Sequence, residues 1–575
     1  MTQRYTHIAV LLAIVVAWFA LLGYRDLIDP DEGRYAEIPR EMLVSGDWIT
    51  PRLNGLKYFE KPPLQYWATA AFYKLLGFSN ASARLWIVLI GFVGAVWVFF
   101  VASRLFGVSA GYYAFALGSS SALYVVCSHY LTLDITVSVF LAVGIGAFAL
   151  AQNARDIPRS NRHWMLLAWA AFAAAVLSKG LIGIVLPGGA IVVYSLWQKD
   201  WNLYRHLHLG KGLTLFLLLV LPWFIAVQLR NQEFFNFFFI HEHLQRYLTP
   251  VHGHDEPAYY FLLVLLLGFC PWIITSLTSI ARPSFPWRVS SAANTFCAER
   301  FLWVFVVFVV AFFSFSHSKI GPYILPAMPI VAILAGKRMA QSQTYSGEGW
   351  VMLVCSLIVA IIGAAAPIIG DNFASHQQLL AYQKWIIVSA MLLALGSTIL
   401  LSGRIRPNMA VLSAGLCTLV ALQLLLNGYQ SLSSHRSARL IADEIMQRDP
   451  NNKNPIYMVR TYSPSLPFYL QRLVTLAAYR GELGPGIDAE PQKVLMTTDG
   501  FAAQWSSPQK AFAVINNDVI ADYRHLGIPM LTLYQGSELS LVTNSGTDPE
   551  NSFTVAASLS SLAANVIQPS LGNQP

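Results

Sequence analysis

The sequence predicts a polytopic α-helical membrane protein of about 13 transmembrane helices, followed by an extracytoplasmic α/β domain. Three observations carry this. The 575 residues are 55% hydrophobic and only 12% charged, and their mean hydropathy is +0.50; ordinary soluble domains carry about 25% charged residues. Apolar stretches recur, each close to the roughly 20 residues that a helix needs to cross hydrocarbon. Basic residues gather in alternate loops, as they do where a membrane protein has a fixed orientation.

In chain order the spans are expected near residues 8–24, 84–105, 109–127, 134–152, 164–178, 180–197, 211–229, 259–280, 300–316, 321–336, 349–369, 383–402 and 408–428. The first lacks a small-residue cleavage site and reads as a retained helix. With a cytoplasmic N-terminus, the cytoplasmic loops hold Arg155, Arg159 and Arg162, then Lys199, Arg205 and Lys211, then Arg282, Arg288 and Arg300. Lys337 with Arg338, and Arg404 with Arg406, continue the alternation. The net charge of +8 therefore records topology, and no nucleic-acid partner is expected. All five cysteines fall in or near spans or on the cytoplasmic side, so neither a disulfide framework nor a thiolate metal site is expected.

Three parts follow. Residues 1–428 form the membrane body, with a long external loop at 25–83. Residues 430–545 form a soluble domain in which 437–447 has helical period and PIYMV, FAVIN, LTLYQ and LSLVT read as strands. An odd number of spans puts this domain on the same side as the loop. Residues 546–575, rich in Ser, Asn and Ala, are expected to be disordered. No short internal repeat is visible, which speaks against a duplicated transporter.

The chemistry concentrates between Asp29 and Trp67. Asp29, Asp31, Glu32, Glu37, Glu41, Asp47 and Glu60 sit among Arg34, Arg40, Arg52, Lys57 and Lys61. Asp29 and Glu32 have the spacing of a capping box with Pro30 as first helical residue. Asp31 and Arg34 share a helix face with Tyr35, which with Ile38 suits the membrane surface, while Pro39 is expected to kink or end the helix. In YFEKPPLQYW, the prolines hold Glu60 and Lys61 extended, so that the two side chains point opposite ways toward ligands of opposite charge; a plain rigid turn is the bland alternative. Asp134 lies where an external loop re-enters an apolar helix, as a helix N-cap or as a functional carboxylate. Lys179, Lys319 and Tyr323 lie at further external turns, where lysines contact phosphate or merely snorkel to headgroups. His241, His243, His252 and His254 suggest a metal site with Glu60, zinc accepting imidazole and carboxylate, against the reading of a polar loop.

In their order, the segments DPDEGRYAE, YFEKPPLQYW and HYLTLD resemble the GT-C membrane glycosyltransferases, in particular the bacterial aminoarabinose transferases that modify lipid A, relatives of the protein O-mannosyltransferases. SKIGPY departs from the family's S-K-L-P-x-Y form at Gly321. The resemblance implies transfer of a sugar, 4-amino-4-deoxy-L-arabinose, from undecaprenyl phosphate to lipid A at the periplasmic face of the bacterial inner membrane. It implies inversion at the sugar and resistance to cationic peptides such as polymyxin. Arg34 and Lys61 then hold the donor phosphate, and Asp31 and Asp134 are the essential carboxylates. Tyr35, Tyr58, Tyr323, Lys179 and Lys319 line the substrate pocket, and Glu60 with His241 is the metal candidate. No nucleotide cofactor is expected, and a monomer is. Two alternatives stand beside this: a related transferase acting on protein or polysaccharide hydroxyls, and a lipid transporter or flippase. The latter would carry its polar groups near the bilayer midplane rather than at external loops.

Overall fold

The computed structural model describes residues 2–245, 256–287, 295–342, 345–370 and 374–545, without the side chains of 2–4, 241, 243–245, 369, 434 and 435. The segment 546–575, expected to be disordered, lies outside the described residues. The chain divides into two compact units. The first comprises Met1–Asp26, Ile38–Pro51 and Phe59–Leu432; the second comprises Leu27–Glu37, Arg52–Tyr58 and the chain from Ser433 onward. Two short pieces of the stretch 25–83 thus cluster with the C-terminal residues.

The first unit is helical. Its early elements are α1 (Thr2–Phe19), α3 (Leu64–Leu76), α4 (Asn80–Phe106), α5 (Val108–Ser120), α6 (Ala122–His129), α7 (Asp134–Asn153), α8 (Pro158–Lys179), α9 (Ile182–Gln198) and α10 (Leu209–Arg230). Helix α2 (Asp31–Ser45) contains the division between the units. All thirteen expected apolar stretches fall largely on helix. Among the described residues seven helices are long and apolar enough to cross a membrane: Asn80–Phe106, Asp134–Asn153, Leu209–Arg230, Gly321–Gln341, Ser346–Ile368, His376–Ser402 and Pro407–Ser433. The stretch 109–127 breaks at Ser121, where the backbone N–H of Ala122 leaves the helix ladder and donates to the Cys270 carbonyl (3.1 Å). The stretch 259–280 breaks into Tyr260–Gly268 and Ile273–Ala281 around Pro271, which cannot supply a helical N–H.

Small residues bring these helices together. A Cβ on Gly94 would collide with the Tyr124 hydroxyl and Val139, and one on Gly336 with the backbone of Ala110 and Ala114. Backbones can approach closely only where such side chains are missing. Helix α4 starts on a reciprocal capping box, Ser79 with Ser82.

Helix α2 differs from expectation in three ways. It runs unbroken through Pro39. Tyr35 and Ile38 are buried in protein, at 6% and 0% exposure, and do not rest on lipid. Asp29 does not cap it: the first backbone bond runs from Glu32 N–H to the Ile28 carbonyl (3.0 Å), and the Glu32 carboxylate reaches back to the Ile28 N–H (3.0 Å).

The second unit holds a hairpin, β1 (Arg52–Leu53) and β2 (Leu56–Lys57), turned by Asn54 and Gly55, both at positive φ (53° and 75°) as a two-residue primed turn requires. Its main sheet has the order β4-β3-β5-β7-β6, with β3 (Ile456–Val459), β4 (Thr475–Ala477), β5 (Phe512–Asn516), β6 (Leu531–Gln535) and β7 (Leu539–Thr543). β3 pairs in parallel with both β4 and β5, and β7 runs antiparallel to β5 and β6. Phe501, Trp505 and Tyr523 pack with Val459 and Ile515 in its core.

Asp29 ties the loop piece of this unit to the residues after β3. Its carboxylate accepts from Ser465 N–H (2.9 Å), Ser465 Oγ (2.6 Å) and Ser463 Oγ. Burial pushes its pKa up to about 6, against the lowering effects of the serines and Arg34. A raised carboxyl pKa means that the folded state binds the proton more tightly. The group's favourable contribution is therefore complete below about pH 4 and lost as pH rises through 6, a difference on the order of 3 kcal/mol. Asp29→Asn should remove this slope, since the serine hydroxyls can turn to meet the amide. Proteolysis of the full protein in detergent from pH 4 to 7 checks it, and equal slopes in both proteins refute it.

Candidate active site

The second unit holds Asp31, Arg34, Tyr35 and Tyr58. Arg34 and Asp31 form the expected i,i+3 pair (Nη1–Oδ1 3.4 Å). The guanidinium also meets Glu482 with its other Nη and lies near the faces of Tyr35 (5.7 Å) and Tyr58 (6.0 Å). Arg34 is 12% exposed and Asp31 40%. The cation is thus fixed by two acids and two rings while the Asp31 carboxylate stays accessible. Glu482 is absent from the expected set; it arrives on the turn Gly481–Leu483.

The first unit holds Glu60, Lys61, Asp134, Lys179, Lys319, Tyr323 and His241. Glu60 and Lys61 do not point opposite ways. Lys61 Nζ folds back to the Glu60 carbonyl (3.0 Å) and stands 3.9 Å from its carboxylate. It also pairs with Glu242 (3.4 Å), which is buried. The short Pro62–Pro63 segment leads into α3, where Gln65 accepts from Thr136 Oγ1 (2.9 Å). Thr136 in turn accepts from Trp86 Nε1 (3.1 Å). This chain of bonds fixes the helix after Lys61 against the first turn of α7, which starts at Asp134.

Leu133, not Asp134, occupies the N-cap of α7. The Asp134 carboxylate instead pairs with Lys179 at the C-terminal end of α8. Lys179 Nζ lies 5.0 Å from the centroid of Tyr323, and Tyr323 packs on Phe313 (5.3 Å). Three residues from separate turns are thereby brought together; Lys319 is half-buried. Arg34 and Lys61 share a pattern: each is a cation held among acids.

For a metal the outcome is narrower. Among the described residues no three His, Cys, Asp or Glu side chains stand close enough to hold an ion. The side chains of His241 and His243, with His252 and His254 entirely, lie outside the described residues. Glu60 stands 3.9 Å from the Lys61 ammonium.

The fold is that of the GT-C membrane glycosyltransferases. The family model for dolichyl-phosphate-mannose-protein mannosyltransferase matches residues 5–238, and that for the aminoarabinose transferase C-terminal domain matches 441–544. The crystal structure of ArnT from Cupriavidus metallidurans bound to undecaprenyl phosphate is 32% identical, with a TM-score of 0.85 over 94% of this chain and 98% of that one. The undecaprenyl phosphate-alpha-4-amino-4-deoxy-L-arabinose arabinosyl transferase of Shewanella sediminis is 32% identical over 66% of this chain and 69% of its own. That of Pectobacterium carotovorum is 28% identical over 90% and 95%. The apo oligosaccharyltransferase of Archaeoglobus fulgidus, 11% identical at a TM-score of 0.51, shares the fold alone. The chain belongs to the aminoarabinose transferase family.

Proposed function

We propose that this protein transfers 4-amino-4-deoxy-L-arabinose from undecaprenyl phosphate to a phosphate of lipid A, at the periplasmic face of the bacterial inner membrane. The observation that supports this most is the likeness, over nearly the whole chain, to a transferase bound to undecaprenyl phosphate. In the reaction an acceptor phosphate oxygen attacks the anomeric carbon from the face opposite the leaving group. The bond from that carbon to the donor phosphate oxygen breaks, its electron pair stays on the leaving phosphate, and the sugar is inverted. The leaving phosphate gains negative charge as the bond breaks, so cations aimed at it stabilise the transition state more than the bound donor. Lys61 and Arg34 take that role. A phosphate acceptor is largely ionised near neutral pH, its second pKa being about 6, so no general base is required. Asp31 and Asp134 are then free to orient the sugar through its amino group and to stabilise oxocarbenium charge. Tyr35, Tyr58, Tyr323, Lys179 and Lys319 shape the substrate pocket.

With the sugar's amine cationic at neutral pH, the product carries less net negative charge on lipid A, which is the physical basis of resistance to polymyxin-like peptides. The test is the lipid A mass of cells with and without this protein. One aminopentose residue added per modified phosphate is the expected result. Unchanged lipid A overturns the acceptor assignment and shifts weight to transfer onto a protein or polysaccharide hydroxyl. In that case one of the two aspartates has to serve as base.

A further inference from the structure

The second unit contains a cavity of about 290 Å³ that none of the residues proposed for transfer uses. Its position follows from the sheet. β3 is flanked by β4 on one side and β5 on the other, both parallel to it. The connections that follow β3 and β4 thus diverge, and a crevice opens at the carboxyl ends of β3 and β5, where open α/β sheets bind ligands. Thr461 and Tyr462 come from the segment after β3, Asn516 ends β5, Tyr534 and Glu538 come from the β6–β7 hairpin, and Arg436 precedes the helix Arg439–Arg448; all line the cavity.

The occupant is constrained by what already fills part of this place. In doubly wound folds a phosphate of the ligand sits on backbone N–H groups after the first strand. Here Asp29 takes the Ser465 N–H (2.9 Å) and the Ser465 hydroxyl (2.6 Å), and Asp29 itself lines the cavity. A phosphate entering would meet a carboxylate. The remaining lining mixes hydroxyls, an amide, a guanidinium and the exposed Glu538 carboxylate with the ring of Tyr534 and the aliphatic Leu440. Adjacent hydroxyls on a small ring need donors and acceptors in alternation, and its C–H faces pack on aromatic and aliphatic surface. The volume suits a single ring, at the small end of ligand cavities, which begin near roughly 300 Å³.

We infer that this crevice is a saccharide site of the second unit, taking one neutral or amine-bearing sugar ring and rejecting phosphate. It is independent of the proposed transfer residues. The ring can come as a free sugar or as part of the saccharide of a glycolipid; both present the same chemistry.

The test uses the full protein in detergent with glucose, glucosamine, inorganic phosphate and delipidated lipopolysaccharide core oligosaccharide, read by saturation-transfer NMR and calorimetry. Glucose and glucosamine should bind, with glucosamine tighter. Asn516→Ala should weaken both by about tenfold, roughly the loss of one or two hydrogen bonds. Glu538→Gln, on the exposed hairpin, should abolish the preference for the amine while glucose binding persists. Lys61→Ala should bind as the unchanged protein does. Displacement of glucosamine by the core oligosaccharide assigns the site to a glycolipid saccharide, and failure to displace assigns it to free sugar, both in support of a saccharide site. Phosphate binding in competition with glucosamine overturns the inference. So does glucosamine binding that survives both Asn516→Ala and Glu538→Gln unchanged, or that disappears in Lys61→Ala, which would put the sugar in the transfer site.

Discussion

Asp134→Asn is expected to abolish transfer while leaving the protein folded. The carboxylate pairs with Lys179 in a half-buried setting, where an ion pair is screened less than at an open surface. Removing the charge has two consequences that can be separated. The first is local stability, because Lys179 keeps its position near Tyr323 (5.0 Å) but loses its anion. The second is catalysis, if Asp134 stabilises positive charge on the sugar. Loss of one preorganised electrostatic group typically lowers turnover about 10²–10³-fold. The double variant Asp134→Asn, Lys179→Met distinguishes the two. It restores melting temperature by removing the unpaired cation, yet turnover stays at the level of Asp134→Asn. Transfer from a lipid-linked donor in detergent, beside a thermal melt, is the measurement. Recovery of turnover in the double variant would reduce Asp134 to a structural partner of Lys179.

Much of this arrangement was legible in the residues, and the remainder has a physical reason for being hidden. FAVIN at 512–516 forms β5, whose first four residues are fully buried, because a continuous apolar run suits a strand covered on both faces. The three-residue β4 (Thr475–Ala477) carries too little period to be seen. The stretch 109–127 reads as one helix because its break at Ser121 is tertiary: the bond to the Cys270 carbonyl joins residues far apart in the chain. The site divides the same way. Asp31 and Arg34 announce their pairing by spacing on one helix face. Lys179 with Asp134, and Glu482 with Arg34, do so only once the fold has brought distant turns together. Glu242 lies among four histidines that suggest metal chemistry, yet its described partner is Lys61. Gln65 stands in plain view beside the diproline, but its value lies in Thr136, which no local pattern indicates.

Lys61→Ala should give a loss of similar size for a different reason. As the donor's phosphate departs it gains a full charge, and Lys61 is a compact cation held 3.4 Å from Glu242 and 3.9 Å from Glu60. Those acids hold it in place, and in the reaction proposed above they compete with the phosphate for it, so donor binding would exchange one charge-assisted bond for another and net affinity would stay modest. The gain comes as the bond breaks, when the phosphate outbids the carboxylates. Turnover should therefore fall by about 10²–10³-fold, with a much smaller change in KM for the donor. Lys61→Arg should recover little, because a planar fork does not reproduce a point charge on this backbone. The control is Lys61→Ala with Glu242→Gln, which removes the buried carboxylate's unmet charge along with the lysine. If transfer returns in that double variant, Lys61 serves to neutralise Glu242; if transfer stays lost while the melting temperature recovers, the ammonium acts on the leaving phosphate.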